Sequence, residues 1–196
     1  MTKVTEKKDP LLRYLEETSA LFEQVRKDAP LLTNTAEAIT LIGECFRKGG
    51  KLLIAGNGGS AADAEHFATE FVGRFTRERH ARPAIALTSS PTITAWGNDH
   101  EFEDVFARQL EAFATPEDIF IGISTSGNSR NIVRAVEKTK ELGIKSICIL
   151  GNGGGALVNL PDIVIAMADK RTSHIQEIQI ALIHAICQEV EKTFTE

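Results

Sequence analysis

Five short apolar runs recur along the chain: KLLIAG (51–56), AIALT (84–88), DIFIGIS (118–124), SICILG (146–151) and DIVIAM (162–167). They lack the polar alternation of a half-exposed strand, so each reads as a strand buried on both faces. The segments between them read as crossover helices. The predicted fold class is therefore α/β, a doubly wound three-layer sandwich around a five-stranded parallel sheet. Two helical patterns precede the first strand, LLRYLEETSALFEQVRK and NTAEAITLIGECFRKGG, the second closing on glycines as helix ends often do. A sheet does not need that preface. These helices either pack on the domain or form an oligomer interface, and their length beyond the sandwich favours the interface. A final helix is expected over 173–194, with Ile175, Ile178, Leu182, Ile186 and Val190 at helical spacing.

Composition narrows the class. With 196 residues, 42% hydrophobic and 25% charged, the chain suits one soluble domain, read as 1–196 with 1–48 as an N-terminal helical extension. No apolar run approaches the roughly 20 residues that span a bilayer. The start, MTKVTEKKDPLLRYL, lacks the apolar core and cleavage site of a secretory signal, so the cytoplasm is expected and a membrane partner is not. A net charge of −5 argues against a nucleic-acid partner, because counterion release needs a clustered basic face. Cys45, Cys148 and Cys187 stand far apart inside apolar patterns and read as core thiols.

In such sheets ligands bind at the carboxyl ends of the strands, which points to the loops after strands one, three and four. After the first comes GNGGSAADAEHFATEF, where Gly56, Gly58 and Gly59 permit a tight turn and Ser60 reads as an N-cap supported by Asp63. Gly56-x-Gly58-x-x-Ala61 also satisfies the dinucleotide fingerprint. The next strand, however, ends in Thr88, Ser89 and Ser90 instead of the acid that would hold a ribose, and Glu78 falls before it, so no nucleotide cofactor is expected. After the third strand, STSGNS sets Ser124, Thr125, Ser126 and Ser129 around a glycine, ahead of the helical pattern NIVRAVEKTKELG. Hydroxyls, backbone N–H groups and a helix N-terminus together make an anion site, with phosphate its commonest occupant. Simple helix capping is the plainer alternative. The chain has no G-x-x-x-x-G-K-[ST] loop, which removes the main case for a nucleotide triphosphatase.

With GNGGSAADAEHFATEF, GND (97–99), STSGNS and RTSHIQEIQIALIH in order, the chain closely resembles the sugar isomerase (SIS) domain family. Within that family it resembles the bacterial phosphoheptose isomerases, over about residues 10 to 194. The resemblance implies a flavodoxin-like SIS fold, a homotetramer with shared sites, and conversion of sedoheptulose 7-phosphate to D-glycero-D-manno-heptose 7-phosphate. It implies that Ser124, Thr125, Ser126 and Ser129 hold the phosphate, while Asn57, Gly58, Gly59, Glu70, Asn98, Asp99 and Gln176 contact the sugar. It further implies catalysis by Glu70 and His184, and one zinc per subunit on His66, Glu70, Gln176 and His184. Two positions depart from the pattern: Gln179, where some members have histidine, and Ser173, where some carry an acid.

Spacing speaks separately. His66, Glu70 and Arg74 recur every four residues and would share a helical stripe. That stripe reads either as a surface Glu70–Arg74 ion pair, contributing ~0.3 to 0.5 kcal/mol, or as a His/Glu pair able to ligate one metal. Gln176 and His184 are about 12 Å apart along a regular helix, so sharing an ion needs a distorted first turn or helices from two chains. His80, His100 and His174 read as surface or loop residues. In the isomerisation, Glu70 would move the carbon-bound proton and His184 would serve the oxygens through an enediol. A zinc-bound carboxylate is a poorer base, so the two roles of Glu70 require a ligand shift when substrate enters. The rival readings are isomerisation of another phosphosugar and a non-catalytic SIS-fold adaptor that binds the DNA-replication initiator protein.

Overall fold

An aspartate and a proline start each of the first two helices. In α1 (Pro10–Val25) the Asp9 carboxylate accepts from the N–H groups of Leu11 (2.8 Å) and Leu12 (3.4 Å); in α2 (Ala29–Arg47) Asp28 accepts from Leu31 at 3.0 Å. The structure is a computed structural model that describes residues 9–194. The start of the 1–48 extension, with most of the charged head MTKVTEKKD, therefore lies outside the described residues.

All five apolar runs are strands: β1 (Leu52–Ala55), β2 (Ala84–Ala86), β3 (Ile119–Ser124), β4 (Lys145–Leu150) and β5 (Ile163–Ala166). They pair in parallel in the order β2-β1-β3-β4-β5. Successive side chains enter different cores. Leu52, Ile54, Ile119, Ile121 and Ile123 pack with α1, α2, α3 (Gly59–Val72) and α7 (Thr172–Lys192), whereas Leu53, Ala55, Phe120, Cys148 and Leu150 face α5 (Val105–Phe113) and α6 (Arg130–Leu142). Each fully buried Leu, Ile or Phe contributes about 1.5–3 kcal/mol. A one-residue slip would exchange the two cores, so the register is fixed by burial on both faces. Among the described residues no helix is long and apolar enough to cross a membrane.

Two aspartates pin the lower edge of the sheet. Asp118, just before β3, accepts from the Lys51 N–H (2.9 Å), the Lys51 ammonium (2.5 Å) and the Thr115 N–H (2.7 Å). Asp162, just before β5, does the same for the Ser146 N–H (2.9 Å) and the Lys145 ammonium (2.7 Å). In both, burial pushes the carboxyl up, but these donors outweigh it and hold the group below the usual carboxylate range.

The crossover helices expected between strands are present with one exception. β4 and β5 are joined by a short 3-10 segment, Asn152–Leu157, because Gly153, Gly154 and Gly155 take positive φ angles that an α-helix cannot use. The cysteines are buried as expected, and burial pushes the Cys45 and Cys148 thiols up to about 12. Helix α1 docks on α7 through Tyr14, Thr18 and Leu21, and along the flank of that contact Leu11, Leu15 and Phe22 are 66%, 55% and 42% exposed.

Candidate active site

The strand order reverses between β1 and β3, and the loops leaving those two strands flank the resulting crevice. In the second loop Ser124 is buried and its hydroxyl lies 3.0 Å from that of Ser129 and 3.4 Å from that of Ser126. Ser129 is the N-cap residue of α6, yet no side chain caps that helix. Its hydroxyl is therefore not spent on capping the first amides of α6, whereas Ser126 Oγ accepts from the Asn128 N–H at 3.1 Å and so satisfies a turn group, as the plainer reading has it. Thr125 is half-buried beside them. The glycine-rich segment after β4 supports the loop from below: Leu157 N–H donates to the Gly127 carbonyl (3.1 Å), and Ala156 N–H donates to the Asn128 side chain (2.9 Å).

The two loops are bolted together by an amide pair. Asn57 donates to Asn131 at 2.9 Å, and Asn131, 2% exposed, donates back at 2.8 Å. Asn131 escapes a sequence reading because its partner is 74 residues away. The expected N-cap role of Ser60 is corrected: Gly58, at φ 56°, caps α3 without a side chain, and Ser60 is buried in the first turn. A left-handed conformation at the cap favours glycine over serine there.

Helix α3 lies beside α7, and the contacts run in step along both. At the near end, a Cβ on Gly59 would strike the amide of Gln176, so Gln176 lies directly on the backbone of the glycine turn. About two turns on, His66 Nε2 lies 2.9 Å from His184 Nε2 and 3.2 Å from Glu70 Oε1. One imidazole must carry its proton on Nε2 while the other presents a lone pair. His66, Glu70 and His184 thus meet within one chain. Gln176 does not join them; it remains at Gly59 on an undistorted stretch of α7. Among the described residues no group of three or more His, Cys, Asp or Glu side chains is arranged to hold a metal ion.

The stripe expected to continue to Arg74 is broken, because α3 ends at Val72 and Arg74 pairs with Glu78 at 2.8 Å, leaving Glu70 to His66. Asp63, one turn before His66, carries a carboxyl oxygen that is buried without a partner among the described residues. Burial pushes its carboxyl up, and nearby His66 opposes that shift. Of the three histidines read as surface or loop, His80 and His100 are exposed. His174 is corrected: it is 3% exposed, 2.6 Å from the Thr18 hydroxyl and stacked on Tyr14. Gln179 is buried and donates to the Ile149 carbonyl at 3.0 Å, so that departure from the family pattern serves the core, while Ser173 is exposed.

Asn98 and Asp99 end helix α4 (Ser90–Asp99), exposed and joined by a 2.8 Å hydrogen bond. They adjoin a cavity of about 420 Å³ lined by Trp96, Asp99, His100, Arg108 and Phe113. The Trp96 ring stacks on His100 with centroids 4.1 Å apart, the Arg108 guanidinium sits 5.3 Å from its ring, and its indole N–H has no partner among the described residues.

Residues 13–151 match the SIS domain model. The chain is 54% identical over 154 residues to a phosphoheptose isomerase of Crocosphaera subtropica, covering 78% of this chain and 79% of that one. It is 46% identical over 185 residues to a phosphoheptose isomerase of Pelobacter propionicus, covering 94% and 97%. A solved phosphoheptose isomerase from Francisella tularensis superposes with a TM-score of 0.87 at 34% identity, over 98% of this chain and 100% of that one.

Proposed function

Because the chain belongs to the SIS-domain family, and within it to the phosphoheptose isomerases, we propose that it interconverts sedoheptulose 7-phosphate and D-glycero-D-manno-heptose 7-phosphate by proton transfer through an enediol. The observation that carries the acid–base part is the meeting of Glu70, His66 and His184 in one chain, with contacts of 3.2 and 2.9 Å. The hydroxyls of Ser124, Thr125, Ser126 and Ser129 and the start of α6 bind the phosphate. Asn57, Gly58, Gly59, Gln176, Asn98 and Asp99 hold the open sugar chain. Fixing both ends of a flexible substrate keeps its carbonyl carbons in register with the two groups.

In this reading the Glu70 carboxylate takes the proton from the carbon beside the carbonyl and returns it to the neighbouring carbon. His184 passes the second proton between the two oxygens. Each proton leaves one atom and arrives at another, so the product is an isomer. Two imidazoles and a carboxylate are donor types that zinc accepts; His66, Glu70 and His184 would hold the ion once they turned toward a common point, which they do not share in this structure, with Gln176 as the remaining donor only if its amide leaves Gly59. Bound there, the metal would polarise the sugar carbonyl and stabilise enediolate charge. The working form in this reading is a homotetramer in the cytoplasm, with residues 1–48 used in assembly; the exposed Leu11, Leu15 and Phe22 of α1 support association through that segment.

The test is turnover of sedoheptulose 7-phosphate by Glu70→Gln and His184→Gln. Each is expected to lower kcat by ~10²- to 10⁴-fold, the usual contribution of one proton-transferring group. Near-normal turnover in either variant removes that residue from its role. Elemental analysis should find one zinc per subunit in the native protein and little in His66→Ala.

A further inference from the structure

Phe75 lies against the His184 ring, with centroids 5.7 Å apart and planes 27° from parallel. It belongs to the loop that leaves α3 after Gly73, and that loop has no strand or helix of its own up to β2. A single carboxylate from the far end of α7 organises it. Glu191, 2% exposed, accepts from the N–H groups of Phe75 (3.2 Å), Thr76 (2.9 Å) and Arg77 (3.1 Å), from the Thr76 hydroxyl (2.6 Å) and from Arg79 Nε (3.2 Å).

Arg79, its side chain 4% exposed, turns its other nitrogens back onto the end of α3. It donates to the last-turn carbonyls of Glu70 (2.7 Å) and Phe71 (2.9 Å), which α3 itself does not satisfy, and to that of Gly73 (3.3 Å) just beyond the helix; the Phe71 carbonyl also accepts from the Arg82 N–H at 2.9 Å. A positive group at a helix C-terminus also opposes the helix dipole favourably. One buried ion pair therefore reaches both halves of the acid–base pair: through Arg79 it fixes the backbone of Glu70, and through the loop it presses Phe75 onto His184. Burial tends to raise the Glu191 carboxyl, but its donors prevail and hold it below the usual range, so it stays charged at neutral pH.

We propose that Glu191 and Arg79 are positioning residues for catalysis, setting Glu70 and His184 against one another with Phe75 as the wall behind the imidazole. The proposal rests on the assignment of Glu70 and His184 as the acid–base pair. Neither residue lies on the phosphate loop, so disturbing them should slow the chemistry and spare binding.

The experiment compares the full-length protein with Glu191→Gln, Phe75→Leu and the double variant. It reads kcat and KM for sedoheptulose 7-phosphate, the ring resonances of His184 assigned by comparison with His184→Gln, and the thermal midpoint. Each single variant should lose ~10- to 100-fold in kcat, as small misplacements of reacting groups do, with KM changed less than ~3-fold. The His184 resonances should move in both. The double variant should lose little more than Glu191→Gln alone, because the Phe75 contact is one of the two routes through which Glu191 acts. Should Glu191→Gln fail to fold, Phe75→Leu leaves the ion pair intact and carries the test alone. Unchanged kcat with unmoved His184 resonances in a folded variant, or a raised KM at full kcat, would overturn the proposal. Full activity in His184→Gln would refute the acid–base assignment instead, whatever the ring resonances show.

Discussion

At position 59 a single methyl group separates a working turn from a blocked one. Ala is a better helix former than Gly by about 1 kcal/mol, and no unusual φ is required there, so Gly59→Ala should fold with an unchanged or slightly raised thermal midpoint. Its new Cβ would nevertheless displace the Gln176 amide. The expected result is a rise in KM for the sugar phosphate with a ~10-fold or greater loss in kcat/KM; steady-state kinetics beside a melting curve would check it. What the residue scale hides from sequence is partnership over distance. The hydroxyl cluster of Ser124 to Ser129 is legible because its members are neighbours. Asn131, His174 and Glu191 are not, because the groups that satisfy them arrive from other elements. A helical histidine such as His174 reads as surface until Thr18 and Tyr14 of α1 cover it.

Elements were legible in proportion to what they bury. Strands covered on both faces must be apolar throughout, which makes β1, β3 and β4 stand out; the reading is corrected for the edge strands β2 and β5, which are only partly covered, Ile85 being 39% exposed, although their sequences are as apolar. Helix α4, which buries no residue, has no apolar stripe to announce it. The 3-10 link before β5 was missed for another reason: its glycines permit a turn that a search for crossover helices does not anticipate. The aspartates at the strand starts lead to a test at this scale. The Asp118 side chain is 1% exposed and joins Lys51 to the start of β3. Asp118→Asn weakens its hold on the Lys51 ammonium and should cost about 1–3 kcal/mol in urea unfolding. Because the folded-state values of Asp118, Asp162 and Glu191 are depressed, their stabilisation is full above the ordinary carboxylate range and is lost as pH falls through the lower folded values. Unfolding free energy should therefore hold level from pH 7 to about 5 and decline below about 4, with a shallower acid decline in Asp118→Asn.

For the whole molecule, the exposed apolar side chains of α1 are the surface through which the proposed assembly would form. Leu11, Leu15 and Phe22 are exposed along the flank of a helix whose adjoining face is already anchored to α7. A carboxylate placed in a buried apolar contact is strongly unfavourable, so Leu15→Glu should convert the proposed tetramer to smaller species, read as mass by light scattering after gel filtration. An unchanged mass would move the interface elsewhere.

Trp96 is the sole tryptophan of the chain, two residues before Asn98, with an indole N–H that no group among the described residues engages. Excited at the long-wavelength edge where Tyr14 and the phenylalanines do not absorb, the unlabelled protein consequently emits from one ring. A sugar that seats, as proposed, against the Asn98–Asp99 end of that helix would alter the surroundings of this indole, giving the molecule a native optical gauge of occupancy that needs no dye and no coupled assay.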